Sequence, residues 1–237
     1  MTEPRPVDPA TAKSERTRGL IVEAALGLFR ERGYERTTMR AVAEAAGVSV
    51  GNAYYYFRSK EELVQGFYDQ LAADHAAALA GPLATSTDLG ERLRASLLAW
   101  LAVAEPYHSL AGRFFAVAAQ PGNPLSPFSS ASHAARDASL ALYRDVVSGS
   151  SIRVADELAP DLPELLWLYH LGIVLFWVHD DSAGVRRTRA LIERTVPMVD
   201  RLCRLSSLRV LRPLARQIPQ LLTELRDGDA DGDSRPS

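Results

Sequence analysis

From Ile21 onward the apolar residues return at intervals of three and four, and no stretch of useful length alternates apolar with polar. That spacing lays a stripe along one face of an α-helix, whereas a half-buried strand needs a period of two. An all-α fold is therefore expected. The pattern is cleanest at Ile21, Ala24, Ala25, Leu28 and Phe29, which share one face of a first helix that Gly33 is placed to end. Thr37 or Thr38 can cap a second helix, Thr38 to Ala46, whose Ala41, Val42 and Ala45 face inward before Gly47 stops it. A short third helix is expected from Val50 to Tyr56. Ser59-Lys60-Glu61-Glu62 has the spacing of a capping box and opens a long fourth helix with Leu63, Val64, Phe67 and Leu71 inward.

The second and third helices, joined by Gly47-Val48-Ser49, have the dimensions of a helix-turn-helix. A turn this tight favours a positive φ, which glycine adopts without steric cost, and Val48 can then drop into the core with Phe57 closing it. The outward surface of helix 3 comprises Ser49, Val50, Gly51, Asn52 and Tyr55, with Tyr54 and Tyr56 either joining it or packing against helices 1 and 4. Three consecutive tyrosines without a charge make a poor solvated face. Phenol hydroxyls reaching phosphates, and an Asn able to pair with a base edge, give that face a use, and Gly51 lets the backbone approach a groove closely.

The run GYERTTMRAVAEAAGVSVGNAYYYFRSKEELV, with AALGLFRERGY upstream, resembles the N-terminal signature of the tetracycline-repressor (TetR) family of bacterial regulators. The resemblance implies that Thr38 meets a phosphate and Arg40 a base or phosphate. It places Ser49, Val50, Gly51 and Asn52 at the recognition positions, Tyr54, Tyr55 and Tyr56 in the aromatic backbone-contacting stretch, and Lys60 as a phosphate contact. Members often carry leucine or isoleucine where Ala53 stands, so helix 3 packs more loosely here or is compensated elsewhere. Val50 can at most touch a thymine methyl. Lys13, Arg16 and Arg18 form either a basic arm for an adjacent minor groove or a solvated flexible one. Arg30, Arg32 and Arg36 read as a solvated face.

Beyond Gly81-Pro82, helices are expected near Leu89 to Ala104, Ser109 to Ala119, Ser130 to Ser148, Pro163 to His179, Ala183 to Leu205 and Leu208 to Leu225. Pro197, Pro213 and Pro219 fall inside two of these and predict kinks or shorter segments. Their aromatics suggest a small-molecule site at Trp100, Phe114, Phe115, Tyr143, Trp167 and His170, although aromatic walls with a few polar groups also describe any helical core. A small head reads few bases, so a homodimer spanning two half-sites is expected. The resemblance puts its interface on Pro163 to His179 and Ala183 to Leu205.

The expected organisation is an N-terminal arm (1–17), a three-helix helix-turn-helix domain (18–63), a helical ligand-binding and dimerisation domain (64–226) and an acidic tail (227–237). Charge fits that division: the net formal charge of -2 splits into +3 through Lys60 and -5 beyond it. The single cysteine, Cys203, offers no intrachain disulfide and reads as a buried helix residue. No secretory h-region opens the chain and the apolar run Leu165 to Val178 is short for a membrane span, so the cytoplasm is the expected compartment. Neither a phosphate loop, a nucleophile elbow nor a metal-ligand spacing is present, which leaves no catalytic residue, metal or cofactor to name. His179-Asp180-Asp181 is read as a cap and turn. The function expected is a repressor that binds a palindromic operator as a homodimer and is released by a small-molecule effector. The alternatives are an activator or ligand-dependent binder of the same build, or a helical carrier or enzyme with a residual head.

Overall fold

The structure, a computed structural model, describes residues 9–120 and 122–207. Nine α-helices are described: α1 (Pro9–Arg32), α2 (Met39–Ala45), α3 (Val50–Tyr56), α4 (Lys60–Thr85), α5 (Leu89–Ala104), α6 (His108–Ala118), α7 (His133–Ser148), α8 (Leu162–Val178) and α9 (Arg186–Ser206). Short 3₁₀ turns precede α6, α7 and α9, and no strand occurs among the described residues. The expected helix at Leu208 to Leu225 and the tail lie outside those residues. The described residues form two compact units, one of those up to Ala73 with Glu105–Arg136, the other of Asp74–Ala104 with those from Asp137 onward.

The first unit is built on the stripe of α1. Ile21, Ala25, Leu28 and Phe29 are buried there against Met39, Val42 and Ala43 of α2, Ala53 and Phe57 at α3, and Leu63, Val64 and Phe67 of α4. α6 closes this core: Phe114 meets Phe29 edge-on at 5.8 Å and Phe67 at 6.3 Å. Phe114 thus belongs to the core of the first unit, apart from the other aromatic candidates for a small-molecule site, and Phe115 stands beside it on α6. Gly66 has a reason of its own. A Cβ there would stand 2.7 Å from the buried Phe57 ring, so only glycine lets α4 lie this close.

α1 starts earlier than expected, at Pro9, so residues assigned to an arm are helical. Proline is tolerated in a first turn, where its missing N–H has no intrahelical partner to lose. Within α1, Arg18 lies 5.1 Å over the Phe57 ring and pairs with Asp69 at 3.3 Å, so its guanidinium is not extended as part of an arm. α4 runs on through Gly81-Pro82, and α9 continues through Pro197, where a kink or shorter segment was expected. Both prolines are exposed, where water can replace the hydrogen bond their rings remove.

In the second unit a buried guanidinium ties helix ends together. Arg92, 5 % exposed, donates to the carbonyls of Leu83 and Ser86 near the end of α4 and to those of Asp145 (2.7 Å) and Val146 (2.8 Å) in the last turn of α7. The carbonyls at two helix C-termini present partial negative charge, which compensates a cation without a carboxylate. A Cβ on Gly149 would fall 2.1 Å from that guanidinium. The α8–α9 turn is held by buried Asp180, which accepts from the N–H and hydroxyl groups of both Ser182 and Thr188. Burial opposes its ionisation, but these four hydrogen bonds prevail and hold the carboxyl well below the ordinary range. The turn also keeps Val185 at φ 47, a costly conformation for a β-branched residue, with its side chain buried. Cys203 is buried on α9, its thiol pushed up to about 11 by burial. No helix among the described residues is long and apolar enough to cross a membrane.

Candidate DNA-binding interface

α2 and α3 owe their lengths to local chemistry. Thr38 caps α2, its hydroxyl oxygen accepting from the Ala41 N–H at 3.2 Å, and Ser49 caps α3 by accepting from the Asn52 N–H at 3.1 Å. Between them, Gly47 takes φ 68; its N–H donates to Glu44 and that of Val48 to Ala43. This is the paired hydrogen bonding of a Schellman ending, and Val48 packs on the core as such an ending favours. The sharp turn is therefore a property of Gly47, and it presents α3 beside α2.

The face that results is exposed and rich in aromatic and small residues. Tyr55 is 80 % exposed, Tyr54 49 % and Val50 41 %, with Ser49 and Gly51 exposed and Asn52 half-buried. Thr38 and Arg40 on α2 are exposed as well. The three tyrosines divide: Tyr56 is the one that packs on the core, its hydroxyl accepting from Ser14 at 3.3 Å while its ring meets Tyr55 edge-on at 5.2 Å. Ala53 is fully buried beneath α3, so a methyl suffices where a larger residue had been the family's habit.

Lys60 is partly committed. Its ammonium donates to the Tyr34 carbonyl at 3.0 Å, lies 4.5 Å over the Tyr34 ring and approaches the Glu35 carbonyl at 3.4 Å. Beside it, the Tyr34 hydroxyl donates to Glu61 at 2.7 Å. Burial and this carboxylate raise the Tyr34 phenol well above its ordinary value. For Glu61, burial pushes upward, but the hydrogen bonds from Tyr34 and Ser59 prevail and hold it low. The start of α4 thus clasps the turn between α1 and α2, a pairing that no local spacing announces. The capping box is also only half formed: Ser59 accepts from the Glu62 N–H, but the Glu62 carboxylate accepts from Arg58.

With this geometry in place, residues 21–66 match the model for bacterial regulatory proteins of the tetR family, and residues 92–218 that for the tetracyclin repressor-like C-terminal domain. The chain belongs to the tetR family. Among its relatives, the transcriptional regulator TtgR of Pseudomonas putida is 44% identical over 63 residues, 27% of this chain and 30% of TtgR. The transcriptional repressor KstR2 of Mycobacterium tuberculosis is 37% identical over 99 residues, 39% of this chain and 46% of KstR2. These matches span less than half the length of either relative. Solved structures share the fold: FadR of Bacillus halodurans, a fatty acid degradation regulator, superposes with a TM-score of 0.60 at 19% identity, covering 86% of this chain and 99% of that one. FadR of Bacillus subtilis, solved with stearoyl-CoA, gives 0.59 at 17% identity, covering 75% and 96%.

In the second unit of this tetR-family chain, Trp100, Tyr143, Trp167 and His170 are all buried. The His170 ring lies 4.8 Å from Trp100, 5.8 Å from Tyr143 and 5.9 Å from His75, and Trp100 meets Trp177 at 5.1 Å. His75 and Trp177 were not among the candidates from the sequence; a lone histidine in an alanine-rich stretch of α4 was the available sign. His75 Nε2 donates to the Ser96 carbonyl at 2.9 Å. Burial, reinforced by His75, pushes His170 down to about 3. Burial, with a smaller contribution from Tyr169, raises the Tyr143 hydroxyl far above its ordinary value. Both are neutral at physiological pH.

Proposed function

We propose that this chain is a DNA-binding transcriptional repressor of the bacterial cytoplasm, which engages a palindromic operator as a homodimer and is released by a small molecule held in the second unit. The observation that carries the reading is the exposed, uncharged surface of α3, where Tyr55 stands 80 % exposed with Tyr54 and Val50 beside it. An aromatic face left in water is costly for a monomer, and a phosphate backbone accepts from phenol hydroxyls. In this reading Thr38, Tyr54 and Tyr55 donate to phosphates, Tyr56 steadies Tyr55 from the core side, and Arg40 and Asn52 meet base edges. Ser49 and Gly51 allow close approach, Val50 touches a thymine methyl, and Lys60 offers its remaining donor to a phosphate.

Dimerisation is supported by the apolar surface of the last described helices. Leu175 and Phe176 on α8 and Met198, Leu202 and Leu205 on α9 are all exposed. The repressing sign follows the names of KstR2 and of the FadR repressor from Thermus thermophilus. Repression by release needs no catalytic step; it needs an effector with higher affinity for the conformation that does not fit the operator.

Selection from random duplex DNA by the purified chain tests the reading. An enriched palindrome with half-sites about one helical turn apart is expected. On it, Tyr55→Ala lowers affinity about tenfold or more without changing the melting temperature, and Asn52→Ala relaxes sequence preference more than it weakens non-specific binding. Absence of any enriched palindrome at low salt would overturn the proposal. Enrichment that requires a small molecule would reverse the sign of the response.

A further inference from the structure

Buried polar atoms almost always find partners, so those that do not call for a reason. In the second unit, His170 of α8 is 6 % exposed, and neither ring nitrogen has a hydrogen-bond partner among the described residues. The hydroxyl of Tyr143 on α7, fully buried, faces Ser96 without forming a hydrogen bond of acceptable geometry. Trp100 lines the same place at 4.8 Å from the His170 ring. The neighbouring His75 is already engaged with the Ser96 carbonyl. Charge is absent from the cluster: the buried ionised side chains described in this unit are Arg92 and Asp180, the one saturated by four carbonyls and the other by Ser182 and Thr188.

We infer that His170 and Tyr143 are the polar anchor of the effector site, and that the effector is a small, uncharged aromatic molecule bearing a hydroxyl group. The inference rests on the proposed ligand-responsive function and adds the chemical class. A neutral imidazole offers one donor and one acceptor, and a phenol offers both. A ligand hydroxyl matches the pair by donating to the bare nitrogen of His170 and accepting from Tyr143, while its ring takes an aromatic wall at Trp100. A carboxylate or a coenzyme A phosphate brings a charge that no free cation of the cluster meets, so burial there is opposed. The cluster draws on α4, α5, α7 and α8. A guest that separates them binds one conformation better than the other, as release from DNA requires.

Calorimetric titration of the full chain with 2-naphthol, naphthalene, 2-naphthoate and lauroyl-CoA tests this. The expected result is 2-naphthol binding about tenfold or more tighter than the other three. Tyr143→Phe and His170→Leu should each bring it to the level of naphthalene without lowering the melting temperature, which a purely structural role for either residue would not allow. Equal binding of naphthalene, preference for lauroyl-CoA, unchanged 2-naphthol affinity in both variants, or no heat from 2-naphthol at about 1 mM would each overturn the inference. Gel shifts on the selected palindrome without any probe keep the two levels apart. If wild type and Tyr143→Phe both bind it, the regulator stands even where the ligand class fails; if wild type does not, the regulator itself fails.

Discussion

The exposed face of α3 and the buried cluster around His170 break the usual arrangement of side chains in opposite directions. On α3, Tyr55 is 80 % exposed with Tyr54 and Val50 beside it, apolar surface where a solvated helix carries charge. His170 is 6 % exposed and its two imidazole nitrogens are buried without partners, polarity where a core is normally satisfied. The contrast matches the size of the partner each region is proposed to serve. A polymer is met by a convex surface that stays in water until it docks, whereas a small molecule must be enclosed, so its recognition groups wait inside the protein. Ordinary packing fills the rest, and Phe114 marks where that ordinary region begins.

The largest effect should come from Phe114→Ala. Phe114 is 5 % exposed and wedged between Phe29 and Phe67, so its truncation should cost about 3–5 kcal/mol of stability in the first unit. Chemical denaturation would show it, and binding of 2-naphthol to the folded fraction should not change. A small stability loss with a large loss of ligand would return Phe114 to the enclosed site and remove the boundary between the two kinds of region.

Most of the framework was legible because it is local. Val50–Tyr56 and Leu89–Ala104 fall where their apolar spacing places them, and Gly47 takes the positive φ that its turn needs. The division of the tyrosines was available too, for with Ala53 inward the 3.6-residue period turns Tyr56 toward the core and leaves Tyr54 and Tyr55 outside. What could not be read is long-range. Aromatic content does not say which core a helix joins, so Phe114 was grouped with Trp100. Tyr34 meets Lys60 and Glu61 across more than twenty residues, with no periodicity linking them. Pro197 was read as a kink or a shorter segment because its exposure, which makes it tolerable, depends on packing.

Acid should act on the enclosed polarity and spare the exposed face. His170 sits near 3 in the folded protein against an ordinary value of 6.5, so the unfolded chain binds its proton first. The stability this represents is complete above pH 6.5 and is lost as pH falls toward 3, by up to about 1.4 kcal/mol per pH unit. His75, also lowered by burial, adds in the same direction. Urea unfolding between pH 7 and 5 should show the decline, and His170→Leu should flatten it by about one proton. An identical slope in the variant would mean that His170 is protonated or hydrated in the folded state and that the cluster is not enclosed.

The smallest effect, and the one that divides the exposed face most finely, belongs to Lys60. Its ammonium has three donors, of which one is well engaged at the Tyr34 carbonyl and a second approaches that of Glu35. If the third meets a phosphate, Lys60→Ala should make the salt dependence of operator binding shallower by about one unit. Tyr34→Phe, which removes the hydrogen bond to Glu61 but no charge, should lower affinity with the slope unchanged. Equal slopes for wild type and Lys60→Ala would assign the lysine wholly to the clasp on the α1–α2 turn. The phosphate contacts of the proposed face would then come from uncharged hydroxyls and Arg40 alone.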